Sequence, residues 1–277
     1  MNHEEKIAIL IPTKARAKRL RTTIQSCLET ASKPELIEFI CYVDHDDNSY
    51  DDIKKKNIKI IKGPKIWLSG MYNALTTHTQ AEILMYGSDD IIFKSKNWDK
   101  KIRESLNEFD RKFGLIFPND LSSHSGKIAT HGFVNRIWLD TLGYLLPPYF
   151  VDTHTDLWIT ELARKLNRLT YLDDIVIEHK QYRQGKANFD STYKDRIKST
   201  EIQKTNKTYK KLKREFWIQL ILAAHKLKIE YPRKINYLLG QSLSLLNRNA
   251  NDTTKLKYLT TTNLDFIAAT LRKVSRD

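Results

Sequence analysis

The sequence predicts an α/β fold, a mostly parallel sheet flanked by helices, with a basic helical appendage at its carboxyl end. Three observations carry this prediction. Short apolar runs alternate with helix-periodic stripes from residue 7 to residue 177. Several of those runs stop at acidic residues, as strands do when their carboxyl ends line a ligand crevice. The strand pattern then ends near residue 190, where the charge balance changes. Residues 1–180 hold 26 Lys and Arg against 25 Asp and Glu, whereas residues 181–277 hold 21 against 8. A domain over residues 1–190 and a basic helical region over residues 191–277 are therefore expected.

The elements follow in chain order. Ile7-Ala8-Ile9-Leu10-Ile11 is a continuous apolar run, the mark of a buried strand. Leu20, Ile24, Cys27 and Leu28 fall at helical spacing, so a helix follows. Phe39 to Val43 is a second strand, ending in the acidic loop Asp44-His45-Asp46-Asp47. Ile58 to Ile61 is a third, closed by Gly63-Pro64. A helix is expected over Ser69 to His78, then a strand-turn-strand unit made of Ile83 to Tyr86, a turn, and Ile91-Ile92-Phe93. Ile102, Leu106, Phe109 and Phe113 mark another helix, and Leu115-Ile116-Phe117 another strand. Trp158, Leu162, Leu166 and Leu169 give a helix, and Ile175-Val176-Ile177 a strand. In the tail, Tyr209, Leu212, Phe216, Leu220, Ala223 and Leu227 keep an apolar stripe, with Lys207, Lys210, Lys211 and Arg214 on the opposite face.

Composition narrows the function classes. The 277 residues are 40% hydrophobic and 29% charged, which suits a packed core under a polar surface. The net charge of +14 points to a polyanionic partner, either nucleic acid or an anionic membrane surface. Cys27 and Cys41 are expected to be core residues in a reducing compartment. Ile7 to Ile11 is too short for a signal-peptide core. The run Leu220 to Ala224 falls far short of the roughly 20 residues of a membrane span. These readings predict a cytoplasmic protein.

The turn between the two runs of the strand-turn-strand unit carries Asp89-Asp90. Adjacent carboxylates held by buried strands repel each other unless a cation or water intervenes, and a hard divalent ion is the natural partner. The plain alternative is a solvated turn, since Asp favours turns.

In this setting the chain resembles the family-2-like nucleotide-sugar glycosyltransferases of the GT-A fold, over roughly residues 5–185. Ile9 to Arg16 resembles the first strand and nucleotide loop, so the resemblance implies donor contacts from Pro12, Thr13, Lys14 and Arg16. Val43-Asp44 resembles the second strand with the acid that contacts the base. Gly70 to Leu75, with Asn73, resembles the helix over the donor. Gly87-Ser88-Asp89-Asp90 resembles the metal-binding Asp-x-Asp motif, with Ser88 beside the donor and Asp89 and Asp90 as metal residues. Gly87 departs from the pattern, because the family has a carboxylate there, and Asp89 is the preferred ligand of the pair. Thr155-Asp156-Leu157-Trp158 followed by His179 resembles the catalytic-acid motif and the late histidine ligand.

The resemblance implies Mn²⁺ or Mg²⁺, a nucleotide-sugar donor (UDP commonest in the family), and an inverting single displacement. A cation held by Asp89 and His179 is expected to neutralise the leaving diphosphate. Asp156 is expected to deprotonate the acceptor hydroxyl. Thr153-x-x-Asp156 is also a capping-box pattern, and Asp152 and His154 are nearby competitors. Thr130-His131-Gly132-Phe133 suits a sugar or acceptor wall, and Trp67 the core. For the acceptor, the basic tail favours hydroxymethylated pyrimidines in DNA, as in bacteriophage DNA modification. The rivals are a cell-surface glycan or lipid-linked acceptor at the inner membrane face, and a nucleic-acid-binding protein on a catalytically silent fold.

Overall fold

The computed structural model describes residues 5–150, 153–182, 185, 186 and 190, and residues 212, 216, 219, 220, 223, 224, 226 and 227. The chain divides into two compact units, Met1–Leu212 and Lys213–Asp277. The expected boundary after residue 190 and the cluster Lys207, Lys210, Lys211 and Arg214 fall outside the described residues, save Asp190 itself. Within the second unit, Phe216, Leu220, Ala223, Ala224 and Leu227 are buried at the spacing of a helical stripe.

The first unit is an α/β structure on an eight-stranded sheet, ordered β3-β2-β1-β4-β7-β6-β8-β5. Strands β1 (Ile7–Pro12), β2 (Ile37–Asp44), β3 (Ile58–Gly63) and β4 (Ile83–Tyr86) form a parallel half. Helices α1 (Ala17–Thr30) and α2 (Leu68–Leu75) are among the crossovers that such pairing requires. The runs at β1 and β4 are apolar throughout because both faces are covered; every residue from Ile7 to Ile11 and from Ile83 to Tyr86 is buried.

The other half is mixed, and with four parallel against three antiparallel pairs the sheet is mostly parallel, as expected. Strand β7 (Gly132–Asn135) runs antiparallel to both β4 and β6 (Leu115–Asn119). Strand β8 (Leu169–His179) runs parallel to β6, and β5 (Ile91–Phe93) antiparallel to β8. The runs β4 and β5 therefore form no hairpin. The chain leaves β4, crosses the sheet at Gly87–Asp90, and joins the far edge through β8.

Helix α3 (Trp98–Asn107) ends before Phe109 and Phe113, because Arg111 and Lys112 take left-handed backbone conformations. Helix α4 (Ile137–Leu142) has no counterpart among the elements expected from the sequence. Helix α5 (Thr155–Lys165) stops short of Leu169, since Asn167 is left-handed and Leu169 opens β8. Cys27 and Cys41 are buried free thiols, both pushed up by burial. Trp67 is 54% exposed at the amino end of α2, not a core residue. No helix among the described residues is long and apolar enough to cross a membrane.

Candidate functional site

The site is built where β1, β2 and β4 end. Past Pro12, the amide of Thr13 still bonds to the carbonyl of Tyr42 at 2.9 Å, which holds the loop to the sheet. The loop then turns at Ala15, whose φ is 51°. It is pinned by Asp47, which accepts from the Ala15 amide at 2.7 Å, and by Tyr50, which accepts from the Arg16 amide at 2.9 Å. Thr13 is buried and lies 2.6 Å from both the Tyr50 hydroxyl and Oδ2 of Asp89. A hydroxyl has one proton, and an ionised carboxylate can only accept. Thr13 therefore donates to Asp89, and Tyr50 donates to Thr13. Burial raises the Tyr50 phenol to about 12, which keeps that donor protonated.

Asp89 belongs to this loop. Its Oδ1 lies 3.3 Å from Nη1 of Arg16, itself paired with Asp190 at 2.7 Å. Arg19 reaches the same Asp190 at 3.3 Å. Burial and the charge of Asp90 push Asp89 up to about 6, against the pull of Arg16 and Thr13. Lys14 stands 4.0 Å from Asp44, which is buried at the end of β2.

Asp90 faces the other way. Its carbonyl accepts from the Lys180 amide at 2.8 Å, extending the β5–β8 register in which Ile91 lies opposite His179. That pairing brings residues 89 apart in sequence to a side-chain contact, with Nε2 of His179 at 3.2 Å from Oδ1 of Asp90. Ser88 donates to the same Oδ1 at 2.6 Å and lies 3.0 Å from Nε2 of His131. With the Ser88 proton given to Asp90, Nε2–H of His131 is the donor to Ser88, which leaves Nδ1 of His131 as a bare lone pair. Nδ1 of His179 is 2.9 Å from the Gln181 side-chain amide, and the tautomer of the ring sets which of the two donates. Burial works to raise Asp90, but His179 and Ser88 outweigh it and hold the carboxyl well below the usual range. Burial and the neighbouring His179 push His131 down to about 3, so its imidazole is neutral.

Asp120 completes the group. It follows β6, and its carbonyl accepts from the His179 amide at 3.0 Å. Its Oδ1 accepts from the Ser122 amide at 3.0 Å. Asp120, His131 and His179 are all buried, and each places a ligand atom within 4.8 Å of the others. Among the described residues, Oδ2 of Asp120 and Nδ1 of His131 are buried with no hydrogen-bond partner. The sequence alone assigns Asp120 no role, and it places His131 only in a wall. A signal for Asp120 is nonetheless present: like Asp44, it follows an apolar run, Leu115-Ile116-Phe117.

Other expected site residues take different places. Gly87 offers no seat for a carboxylate, because a Cβ there meets Cγ2 of Ile9 at 3.2 Å and Cδ1 of Ile91 at 3.6 Å, both apolar. Asn73 holds the fold: its Oδ1 accepts from the Leu145 and Leu146 amides at 2.9 and 3.1 Å, and its Nδ2 donates to the Leu146 carbonyl at 2.8 Å. Its Oδ1 is thus filled, and one Nδ2–H of the two is committed to the backbone. Asp156 stands in the first turn of α5, where its Oδ1 accepts from the Leu157 amide at 2.8 Å. It is near enough to Tyr86 that its charge, after burial, raises that phenol. The cap of α5 is His154, left-handed at φ 74° with no side-chain cap, so the Thr153-x-x-Asp156 capping box is not formed. Asp152 lies outside the described residues.

No protein-family model matches the chain, and no curated protein matches it in sequence. Solved structures do match it in fold. The mannosyltransferase PcManGT from Pyrobaculum calidifontis, in complex with GDP-Man and Mn²⁺, aligns over 99% of this chain and 88% of its own at a TM-score of 0.52 and 11% identity. GalNAc-T7 with UDP, GalNAc and Mn²⁺ aligns over 65% of this chain and 44% of its own at 0.53 and 10%. TarS of S. aureus aligns over 84% and 50% at 0.50 and 14%. The chain thus spans about half the length of the latter two. The likeness is one of fold, a GT-A-type α/β sheet flanked by helices.

Proposed function

We propose that this chain is a metal-dependent inverting glycosyltransferase that moves a sugar from a nucleotide-sugar, UDP-sugar being the first choice, to an acceptor hydroxyl. The observation that carries the reading is the contact of Asp90 with His179, made by residues from distant strands at the mouth of the β1–β4 crevice. The solved structures of the same fold named above, two of them with Mn²⁺, support it.

The residues present suit a divalent cation, with the ionised Asp90 and the His179 imidazole as the holding pair. Bound there, such an ion supplies a Lewis acid for the charge that develops on a departing diphosphate. The nucleotide loop would grip the donor with Thr13, Lys14 and Arg16 on a frame fixed by Asp47, Tyr50 and Asp89. Asp44 would take the base, held by burial at the end of β2. Asp156 would accept the proton of the acceptor hydroxyl as that oxygen attacks the anomeric carbon from the face opposite the leaving diphosphate, which inverts the configuration.

For the acceptor, the reading is a hydroxymethylated pyrimidine in DNA, made in a host cytoplasm by a phage-type enzyme. Its support is charge alone: 21 basic against 8 acidic residues over 181–277 suits a polyphosphate. The experiment incubates the protein with Mn²⁺, UDP- and GDP-sugars, and either hydroxymethylated DNA, unmodified DNA, or vesicles carrying lipid-linked glycan. Nucleotide release with a mass gain on hydroxymethylated DNA is the expected outcome. A gain on the vesicle glycan instead would move the acceptor to the membrane face. No nucleotide release with any donor would overturn the enzymatic reading.

A further inference from the structure

We infer that Asp120, His131 and His179 hold a divalent transition-metal ion before any nucleotide binds, so that the centre is ligated by protein rather than assembled on the donor's diphosphate. The inference deepens the glycosyltransferase reading and rests on it for the use of the ion, but its test needs no donor.

The argument starts from two atoms. Among the described residues, Oδ2 of Asp120 and Nδ1 of His131 are buried and find no hydrogen-bond partner. A buried polar atom left so costs about 1–3 kcal/mol, and native structures keep very few. One is a carboxylate oxygen and the other the ring nitrogen that accepts in the tautomer Ser88 imposes. What they lack is therefore a donor or a cation. They do not stand alone: Asp120, His131 and His179 bring ligand atoms within 4.8 Å of one another, and His179 also touches Asp90.

The surroundings hold each ligand in place. Ser88 fixes His131, the Gln181 side-chain amide would fix His179 by accepting from Nδ1–H in the tautomer that frees Nε2, and the Ser122 amide fixes Asp120 through its other oxygen. Such outer partners orient ligands in built metal sites. His131 is further placed by Gly132, where a Cβ would lie 2.5 Å from the Tyr86 hydroxyl, so β7 starts flush against β4. Two imidazoles with a carboxylate favour Mn²⁺, Co²⁺ or Zn²⁺ over Mg²⁺, which prefers oxygen and retains its waters.

The test uses the full chain, stripped by chelator and free of nucleotide. Co²⁺ is titrated by its visible absorption and Mn²⁺ by its electron paramagnetic resonance, each with and without excess Mg²⁺. One equivalent is expected to bind, and to stay bound against Mg²⁺. Asp120→Asn and His131→Gln are each expected to weaken binding at least tenfold, while the metal-free melting temperature holds or rises because a stranded acceptor is removed. Pulsed resonance of the wild-type Mn²⁺ form should show nitrogen couplings from two imidazoles, a readout that stands even if a variant fails to fold. Binding that appears only with nucleotide, couplings from one imidazole, or affinity unmoved in both variants would overturn the inference. An ordered water as sole occupant gives the first of these results. Sugar transfer with Mg²⁺ alone and no ion bound without nucleotide would sink this inference and keep the enzyme. Metal binding with no transfer to any acceptor would do the reverse.

Discussion

Nε2 of His179 stands 3.2 Å from Oδ1 of Asp90, while the adjacent Asp89 turns to Thr13 at 2.6 Å and Arg16 at 3.3 Å. The two carboxylates are thus divided between two tasks. Asp90→Ala is expected to abolish metal-stimulated nucleotide binding, because it removes the ionised partner of His179. Asp89→Asn is expected to keep metal affinity and to raise the KM for donor, because it loosens the loop that Thr13 and Arg16 form. Calorimetric titration of each variant with Mn²⁺ and UDP checks the division. The opposite pattern would return the ligand role to Asp89.

Gly87 gives a second test of the same turn. Family resemblance suggests that Gly87→Asp would restore a missing ligand, whereas the structure points that side chain at Ile9 and Ile91. A Cβ at this position meets Cγ2 of Ile9 at 3.2 Å, tight enough that the neighbour must give way before a larger side chain fits. The expected outcome is a loss of stability and no gain in metal affinity. Chemical denaturation and metal titration of the variant check both parts.

Asp156 projects from the first turn of α5, and its Oδ1 takes up one backbone amide. Asp156→Asn keeps that acceptor and removes the basicity. Transfer should fall by roughly 10²–10⁴, the usual worth of a general base, with donor affinity unchanged. Single-turnover transfer and nucleotide binding separate the two. Retained transfer would move the base elsewhere.

Replacing Lys207, Lys210, Lys211 and Arg214 by Gln tests the acceptor reading. If these residues neutralise phosphates, DNA affinity falls and the slope of log K against log salt shrinks by about 0.9 for each phosphate no longer neutralised. Filter binding or anisotropy across a salt series measures it. An unaltered slope would remove this cluster from the interface.

Much of the fold was legible because β1, β2 and β4 are buried on both faces and so read as unbroken apolar runs. Asp44 and Asp89-Asp90 could be found because each follows such a run. The assignment of Asp90 to His179 was not legible, since it depends on β5 pairing with β8 across the sheet and not with β4. Local sequence carries no trace of that crossing. The structural bonds of Asn73 were hidden for a related reason: a polar residue on a helix shows no partner until the 145–146 backbone is placed beside it. Asp120 and His131 come from separate segments, and only the antiparallel insertion of β7 sets them together.

The acid limb of stability should be governed in part by Asp99, far from the proposed chemistry. This buried carboxylate takes the Ser32 amide at 2.6 Å, the Ser32 hydroxyl at 2.9 Å, the Lys33 amide at 3.1 Å and Nη1 of Arg103 at 2.7 Å. Burial works to raise it, but these donors together outweigh burial and hold it below the usual carboxylate range. A group whose folded value lies below its unfolded value stabilises the fold above the unfolded value, about 3.9 for Asp. That contribution is then lost as pH falls through the folded value. Asp99 ties the end of α1 to the start of α3, so its loss strands Arg103 as well as two amides. Asp99→Ala is expected to cost roughly 3 kcal/mol at neutral pH. Between pH 5 and the acid transition the variant's stability should fall less steeply than wild type, because the linked proton is gone. Urea unfolding across that range measures both quantities. Parallel curves would show that Asp99 titrates alike in the folded and unfolded chain.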